Sequence, residues 1–350
     1  MVIFDLKKTM KFFAIMLLFF LFSCSDRKEK MRVILDTDAN NELDDQHAIA
    51  YLLANENYFD VEGMTVNTTT DGREKTDIDL HYDEALRIVK LMKKEQSVSI
   101  YKGATQSFFE IRDDIKSPNF DGHEAVDYII SRAKISENQL VLLPIGKLTN
   151  IALALLKEPL IIPNIRIVWL GSNYPDPGEY NQDNDPSALQ YILETKANFE
   201  MVMVRYGENS GTDAVQVSIN EIEKIMPGKG PILKEPITGR HGGTFNSFGD
   251  YSVNLFQNYK EMYKEEGSPP SRPLFDMAAV AILKNSSWAE PVTIIKPRLI
   301  TSATKEEPSE ESVIWNNGKW EKGLDTDDTI TIWENFDKEA IIKDFFDSFN

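Results

Sequence analysis

Cysteine occurs once in 350 residues, at Cys24, which excludes a disulfide within the chain. Basic residues are in deficit, with 38 Lys and Arg against 56 Asp and Glu and a formal net charge of −18. That balance repels nucleic-acid backbones and gains nothing from anionic lipid, and no Lys/Arg cluster interleaved with aromatics works against it. No apolar run reaches the roughly 20 residues that span a bilayer, and neither an internal repeat nor a long linker stands out. What is present, 42% hydrophobic and 10% aromatic residues, is ordinary for a globular protein and sufficient for a large core. The length allows two domains, but α/β enzymes often run this long as one.

Near the start, Lys7, Lys8 and Lys11 precede an apolar stretch from Phe12 to Phe22 that ends in Leu21-Phe-Ser-Cys24. A basic start, a short apolar stretch and a small residue before a cleavage point describe an export signal. The last four residues are similar to a bacterial lipobox, whose cysteine is lipidated and becomes the mature N-terminus. A plain secretion signal with an incidental cysteine is the alternative. Residues 1–24 are therefore expected to be a lipoprotein-type signal, 25–31 a polar tether and 32–350 one folded domain. The expected location is the bacterial cell envelope, lipid-anchored through Cys24 and facing the periplasm or the surface.

From residue 32 onward, short apolar runs alternate with helix-period segments. Arg32 to Leu35, Val61 to Val66, Gln139 to Leu143, Ile165 to Leu170 and Phe199 to Val204 read as strands. Asp44 to Ala54, Ile78 to Lys94, Leu148 to Lys157, Asp185 to Thr195 and Asp337 to Phe345 read as helices. Continuous apolar strands alternating with helices predict a single α/β domain with a mostly parallel, Rossmann-like central sheet flanked by helices. Ligands in such sheets sit at the carboxyl ends of the strands. The glycine-rich segment from Pro227 to Gly249 reads as a mobile surface excursion.

Directly after the first strand, Asp36, Asp38, Glu42, Asp44 and Asp45 fall within ten residues. Carboxylates packed this densely repel one another until a cation or solvent relieves them. Oxygen-rich ligation at a strand-to-helix loop favours a hard cation such as Ca²⁺ or Mg²⁺. Asp44 and Asp45 are equally explained as helix-start residues that gain from the helix dipole.

Four ordered motifs decide between these readings. Asp36-Thr-Asp38 followed by Asp44-Asp45 resembles the opening D-x-D-P-G-x-D-D of the inosine/uridine-preferring nucleoside hydrolases, with two extra residues and Ala39-Asn40 in place of Pro-Gly. Pro144-Ile-Gly-Lys-Leu-Thr-Asn150 resembles the family's P-x-G-P-L-T-N. Asn173, Glu179-Tyr-Asn181 and Asp185-Pro186 match its N-x5-E-F-N-x3-D-P. Pro273-Leu-Phe-Asp276-Met-Ala-Ala-Val280 resembles its late H-D-x-x-A-V helix start.

The resemblance implies the nucleoside hydrolase fold and hydrolysis of the N-glycosidic bond of ribonucleosides to ribose and free base. Carried over residue by residue, Ca²⁺ is expected on the carboxylates of Asp38, Asp45 and Asp276 and the carbonyl of Ile145. Asp38 would take the proton of the attacking water as general base. Asp44 and Asn181 would hold ribose hydroxyls, and Glu179 and Asn173 the 5′ hydroxyl. Asp36 is expected to brace the loop. Relatives commonly form dimers or tetramers, so a homo-oligomer is implied by analogy.

Two departures stand out. Many relatives place a base-protonating histidine just before the last metal-binding Asp, where this chain has Phe275. His241, inside Gly239-Arg-His-Gly-Gly-Thr244, is the substitute candidate, with a surface histidine in a loop as its alternative. His47 and His81 read as structural, and His123 as a helix-start residue. After the second strand, Thr70 stands where the family has a ribose-contacting Asn, and Asn67 is a neighbouring candidate. Base selectivity would fall to Phe275, Tyr180 and the glycine-rich loop. The runner-up function is a hydrolase, or a non-catalytic binder, of another pentose or sugar derivative on the same metal-binding fold.

Overall fold

In the computed structural model the described residues are 29–41, 43–69, 77–135, 138–264, 267, 270–301 and 318–350. Cys24 with the whole export signal, Glu42 and Thr70 lie outside them.

β1 (Met31–Thr37) leads into α1 (Leu43–Ala54), and β2 (Phe59–Val66) into α2 (Ile78–Leu91). β3 (Ser99–Lys102) is followed by the short α3 (Phe108–Ile111) and by α4 (His123–Ala133). β4 (Leu140–Pro144) precedes α5 (Thr149–Lys157), and β5 (Ile165–Leu170) precedes α6 (Tyr180–Asn184) and α7 (Pro186–Glu194). After β6 (Asn198–Val202) come β7 (Gln216–Ser218), α8 (Ile219–Ile225), the hairpin of β8 (Ile237–Thr238) and β9 (Thr244–Phe245), and α9 (Phe248–Met262). β10 (Ser271–Pro273), α10 (Phe275–Lys284), β11 (Glu290–Ile295), β12 (Arg298–Ile300), β13 (Lys319–Glu321), β14 (Thr329–Glu334) and α11 (Lys338–Asp347) complete the chain.

The predicted sheet is present as eight strands in the order β11-β14-β6-β5-β4-β1-β2-β3, parallel except for β11 against β14. Residues 31–350 form one unit around it. Alternate residues of each strand feed opposite cores: Val33, Leu35, Val141 and Leu143 on one face, Ile34, Leu140, Leu142 and Trp169 on the other. Both faces are covered, which is why the central strands are mostly apolar and do not alternate strictly with polar residues. β1 lies beside β4, while the chain continues from β1 to β2 on one side and from β4 to β5 on the other. That switch point opens a crevice at the carboxyl ends of the strands.

Two helices are buried on all sides. Residues Leu43 to Leu53 of α1 and Asp276 to Leu283 of α10 are buried without a break. Each has acidic residues in its first turn, Asp44 and Asp45 in one and Asp276 in the other. The two helices pack together, so both positive dipole ends serve the same carboxylate group.

Several elements differ from the expected ones. β3, β11 and β14 extend the sheet beyond the five anticipated strands. The segment 227–249 is tied down: Arg87 Nε donates to Thr238 O at 2.7 Å, and a Cβ on Gly249 would lie 1.9 Å from Met226 O. It also contains the start of α9, capped by Ser247, whose Oγ accepts from Asp250 N.

Candidate active site

β1 ends at Thr37, and the acidic loop begins at once. Asp36 turns inward and is wholly buried, accepting from Thr65 Oγ1 and from Asn150 Nδ2 at 2.7 Å on one oxygen and from Asn67 Nδ2 at 2.9 Å on the other. It therefore ties β1 to β2 and α5. Burial pushes its carboxyl up to about 6 despite these three donors. Asn150 also accepts the Ala104 N–H at 2.8 Å, so this motif residue serves the frame. Asp185 does likewise, capping α7 through Ala188 N and accepting from Phe108 N at 2.7 Å and from Thr149 Oγ1.

Beyond the brace a cavity of about 350 Å³ opens, lined by Asp38, Asn41, Asp44, Asp45, Ile145, Glu179, Tyr180, Asn181, Tyr206, Asp213, Arg272, Phe275 and Asp276 among others. It has the size of a small-molecule site. Asp44, Asp45 and Asp276 each place a carboxylate oxygen within 4.8 Å of the other two, and all three are buried. The family resemblance implied a cation on Asp38, Asp45, Asp276 and the Ile145 carbonyl, with Asp44 on the sugar. In the structure Asp44 joins the trio, and Asp38 lines the same cavity beside it.

Asp38 is buried, and its Oδ2 has no hydrogen-bond partner. Its carboxyl rises to about 7, through burial first and then the charges of Asp36 and Glu179. Burial and the charge of Asp38 raise Asp44 to about 7 as well. Asp45 and Asp276 are raised well above the carboxylate range by burial and by their acidic neighbours, although Asp45 accepts from Thr37 Oγ1. Carboxylates this buried and this close are held back from ionising together, and a hard cation removes that conflict.

The far wall comes from β5 and α6. Glu179 caps α6: Oε1 accepts from Asn181 N at 3.0 Å, and Oε2 accepts from Ser172 N at 2.8 Å and Gln182 N at 2.9 Å. Burial still lifts it to about 7. Asn181 Nδ2 donates to the carbonyls of Ile145 at 3.1 Å and Leu170 at 3.0 Å, so it fixes the Ile145 carbonyl at the cavity. Trp169 Nε1 holds the next carbonyl, Gly146 O, at 3.0 Å.

Several expected residues do not meet the cavity. Asn173 accepts from Tyr206 N at 3.3 Å and donates to Gly178 O at 3.2 Å, serving the loop instead of the cavity wall. Asn67 is engaged with Asp36. His241 is exposed in the β8–β9 turn, and its neighbour Arg240 reaches inward, with Nη2 3.5 Å from Asn41 O. His81 is buried and accepts the Asn40 N–H at 3.1 Å, while His47 is buried between Leu43 O and Ser252 Oγ. His123 opens α4.

Sequence reasoning missed Tyr206, Asp213 and Arg272. Tyr206 lies between left-handed Arg205 (φ 49°) and Gly207 (φ 76°), and its ring meets Phe275 edge-on at 5.7 Å. Nothing local marks it. Arg272 stands four residues before Asp276 and is a charge beside a recognised motif, which is the signal that could have found it.

The profile of the inosine-uridine preferring nucleoside hydrolases matches residues 33–343. A pyrimidine-specific ribonucleoside hydrolase, RihB, from Escherichia coli O17:K52:H18 is 26% identical over 246 residues, 63% of this chain and 74% of that one. RihB from E. coli strain SE11 is 30% identical over 190 residues, spanning 47% of this chain and 56% of that protein. Among solved structures, the plant nucleoside hydrolase PpNRh1 superposes with a TM-score of 0.66 at 18% identity, covering 92% of this chain and 99% of its own. A purine-preferring ribonucleoside hydrolase from Gardnerella vaginalis gives 0.62 at 20% identity, covering 91% and 98%. The chain belongs to the inosine-uridine preferring nucleoside hydrolase family and is a ribonucleoside hydrolase.

Proposed function

We propose that this enzyme cleaves the N-glycosidic bond of a ribonucleoside with a water molecule activated by Asp38 beside a bound Ca²⁺. The observation that carries the reading is the unpartnered, buried Oδ2 of Asp38 next to the carboxylate trio. All donors at the trio are hard oxygens, which fit calcium better than a soft metal. Asp45, Asp276 and the Ile145 carbonyl would hold the ion, with Asp38 and Asp44 completing the oxygen set. When bound, such an ion supplies a positive field that lowers the proton affinity of nearby water.

The chain's own residues do the rest. Asp38 accepts the water proton, while Asp44 and Asn181 anchor ribose hydroxyls and Glu179 takes the 5′ hydroxyl. The carboxylates around the sugar stabilise the positive charge that develops as the bond to the base lengthens. A reducing-sugar assay on a nucleoside panel, with calcium and with a chelator, tests this. Ribose release that needs both calcium and Asp38 is expected, and a folded, calcium-loaded protein inactive on every nucleoside overturns the proposal.

One observation favours the second reading, a hydrolase or binder of another pentose derivative: no histidine among the described residues lines the cavity. Calorimetry with free ribose, inosine and uridine separates them, since tight sugar binding without turnover is the signature of a binder. We also propose export and lipidation at Cys24. No helix among the described residues is long and apolar enough to cross a membrane. Retention of the wild type in a membrane fraction, and its release by Cys24→Ser, tests the anchor.

A further inference from the structure

Phe275 opens α10 one residue before Asp276, and its ring has no proton to give a departing base. Among the described residues that line the cavity, the one cation is Arg272. It sits on β10, which pairs antiparallel with β7 so that Arg272 faces Val217, and this ribbon fixes its backbone beside the start of α10. The side chain is 11% exposed, with Nη2 3.5 Å from Asp44 Oδ1. Its Cζ stands 5.2 Å from the centre of the Phe275 ring and 5.3 Å from that of Tyr259. Both distances fall in the range where a ring face attracts a cation. A guanidinium carries all its donors in its own plane and remains protonated at neutral pH.

We propose that Arg272 is the leaving-group residue of this enzyme, donating hydrogen bonds to the nucleobase as the base takes up the electron pair of the N-glycosidic bond. The inference rests on the ribonucleoside-hydrolase reading above. The bond from C1′ to the base nitrogen breaks heterolytically, and its electron pair leaves on the base. A bond forms from C1′ to the water oxygen, whose proton passes to Asp38. The base departs as an anion hydrogen-bonded to Arg272 and takes a proton from solvent after release. Asp38 returns its proton to solvent, so the sum is nucleoside plus water giving ribose plus base. Arg272 keeps its proton throughout and acts by charge and donor geometry.

The competing role is purely electrostatic support of Asp44 and its neighbours, which would affect every substrate alike. The deciding experiment compares Arg272→Ala and Arg272→Lys with wild type, as the full chain with calcium, on uridine, inosine and 4-nitrophenyl β-D-ribofuranoside. Nitrophenolate leaves readily without a donor, whereas a nucleobase does not. For Arg272→Ala, kcat/KM on the nucleosides should fall about 10²–10³-fold, and on the nitrophenyl riboside about tenfold or less. Millimolar guanidinium should restore part of the nucleoside turnover only. Arg272→Lys keeps a cation opposite Asp44 but loses the planar fork; it should fall between, and it carries the comparison should the alanine variant not fold. Equal losses on nucleosides and nitrophenyl riboside overturn the assignment. A wild-type chain that cleaves none of the three defeats the ribonucleoside-hydrolase reading itself, and this inference with it.

Discussion

Gly146 makes room for Asp38: a Cβ at position 146 would lie 2.7 Å from Asp38 Oδ1, closer than a side chain can approach without displacing something. The Gly146 carbonyl is pinned by Trp169 Nε1, so the loop cannot easily yield, and Asp38 must. Gly146→Ala is therefore expected to displace the proposed general base while leaving the sheet intact. A displacement near 1 Å costs about 10²-fold in rate. Steady-state kinetics on the best nucleoside, with circular dichroism melting alongside, checks this. A variant with unchanged kcat would show that the position of Asp38 is not critical.

His47 supplies a pH dependence with a definite sign. It is wholly buried among Phe248, Phe256 and Phe345, and burial brings it down from 6.5 to about 4. Between those values the unfolded chain binds a proton that the folded chain refuses. Its contribution to stability is thus present above about 6.5 and is lost as pH falls toward 4. Between pH 7.5 and 5.5 it should cost roughly 1.3 kcal/mol. The carboxylates of the cavity titrate in both proteins, so the readout is wild type against His47→Gln, by urea unfolding at the two pH values. Parallel losses in the two proteins would remove His47 as the cause.

The central strands and the acidic loop were legible because each is written locally. β1 and β5 carry apolar stretches, Val33 to Leu35 and Ile167 to Leu170, and five carboxylates cluster in ten residues. β14 was not legible: its Thr-Ile-Thr-Ile pattern reads as a half-buried strand at most, and only the fold lays it parallel to β6. Tyr206 was hidden for the same reason, since it reaches Phe275 from a loop 69 positions away, held there by Asn173. The motifs themselves mixed two kinds of residue. Asp36, Asn150 and Asp185 hold the frame, Asp38 and Glu179 meet the cavity, and spacing along the chain does not tell them apart.

Without a bound cation, the carboxylates give stability a pH dependence of opposite sign to that of His47. Asp38 and Asp44 rise from 3.8 to about 7 in the folded chain. The fold then keeps protons that the unfolded chain has released, so the metal-free protein loses stability as pH rises from about 4 through 7. Cation binding needs the ionised forms. The increase in Tm on adding saturating Ca²⁺ should therefore be larger at pH 8 than at pH 5.5, by a few degrees or more. Differential scanning fluorimetry against EDTA controls measures it. A gain independent of pH would mean that the ion is bound away from these groups.

Removing one member of the trio should separate stability from activity. Asp45 is raised far above its ordinary range by burial, Asp38 and Asp44, yet an Asn in its place can still accept from Thr37 Oγ1. Asp45→Asn thus relieves repulsion without orphaning its neighbour. In EDTA at pH 8 it should be more stable than wild type, because one carboxylate of a mutually repelling buried group is gone. With Ca²⁺ present the order should reverse, since the wild type gains binding energy that the variant forfeits. Nucleoside turnover should fall by at least about 10²-fold, as expected when an oxygen donor of the site is lost. Chemical denaturation with and without calcium decides the matter: if Asp45→Asn is destabilised in EDTA as much as in calcium, Asp45 is a structural acceptor and the cation is held elsewhere.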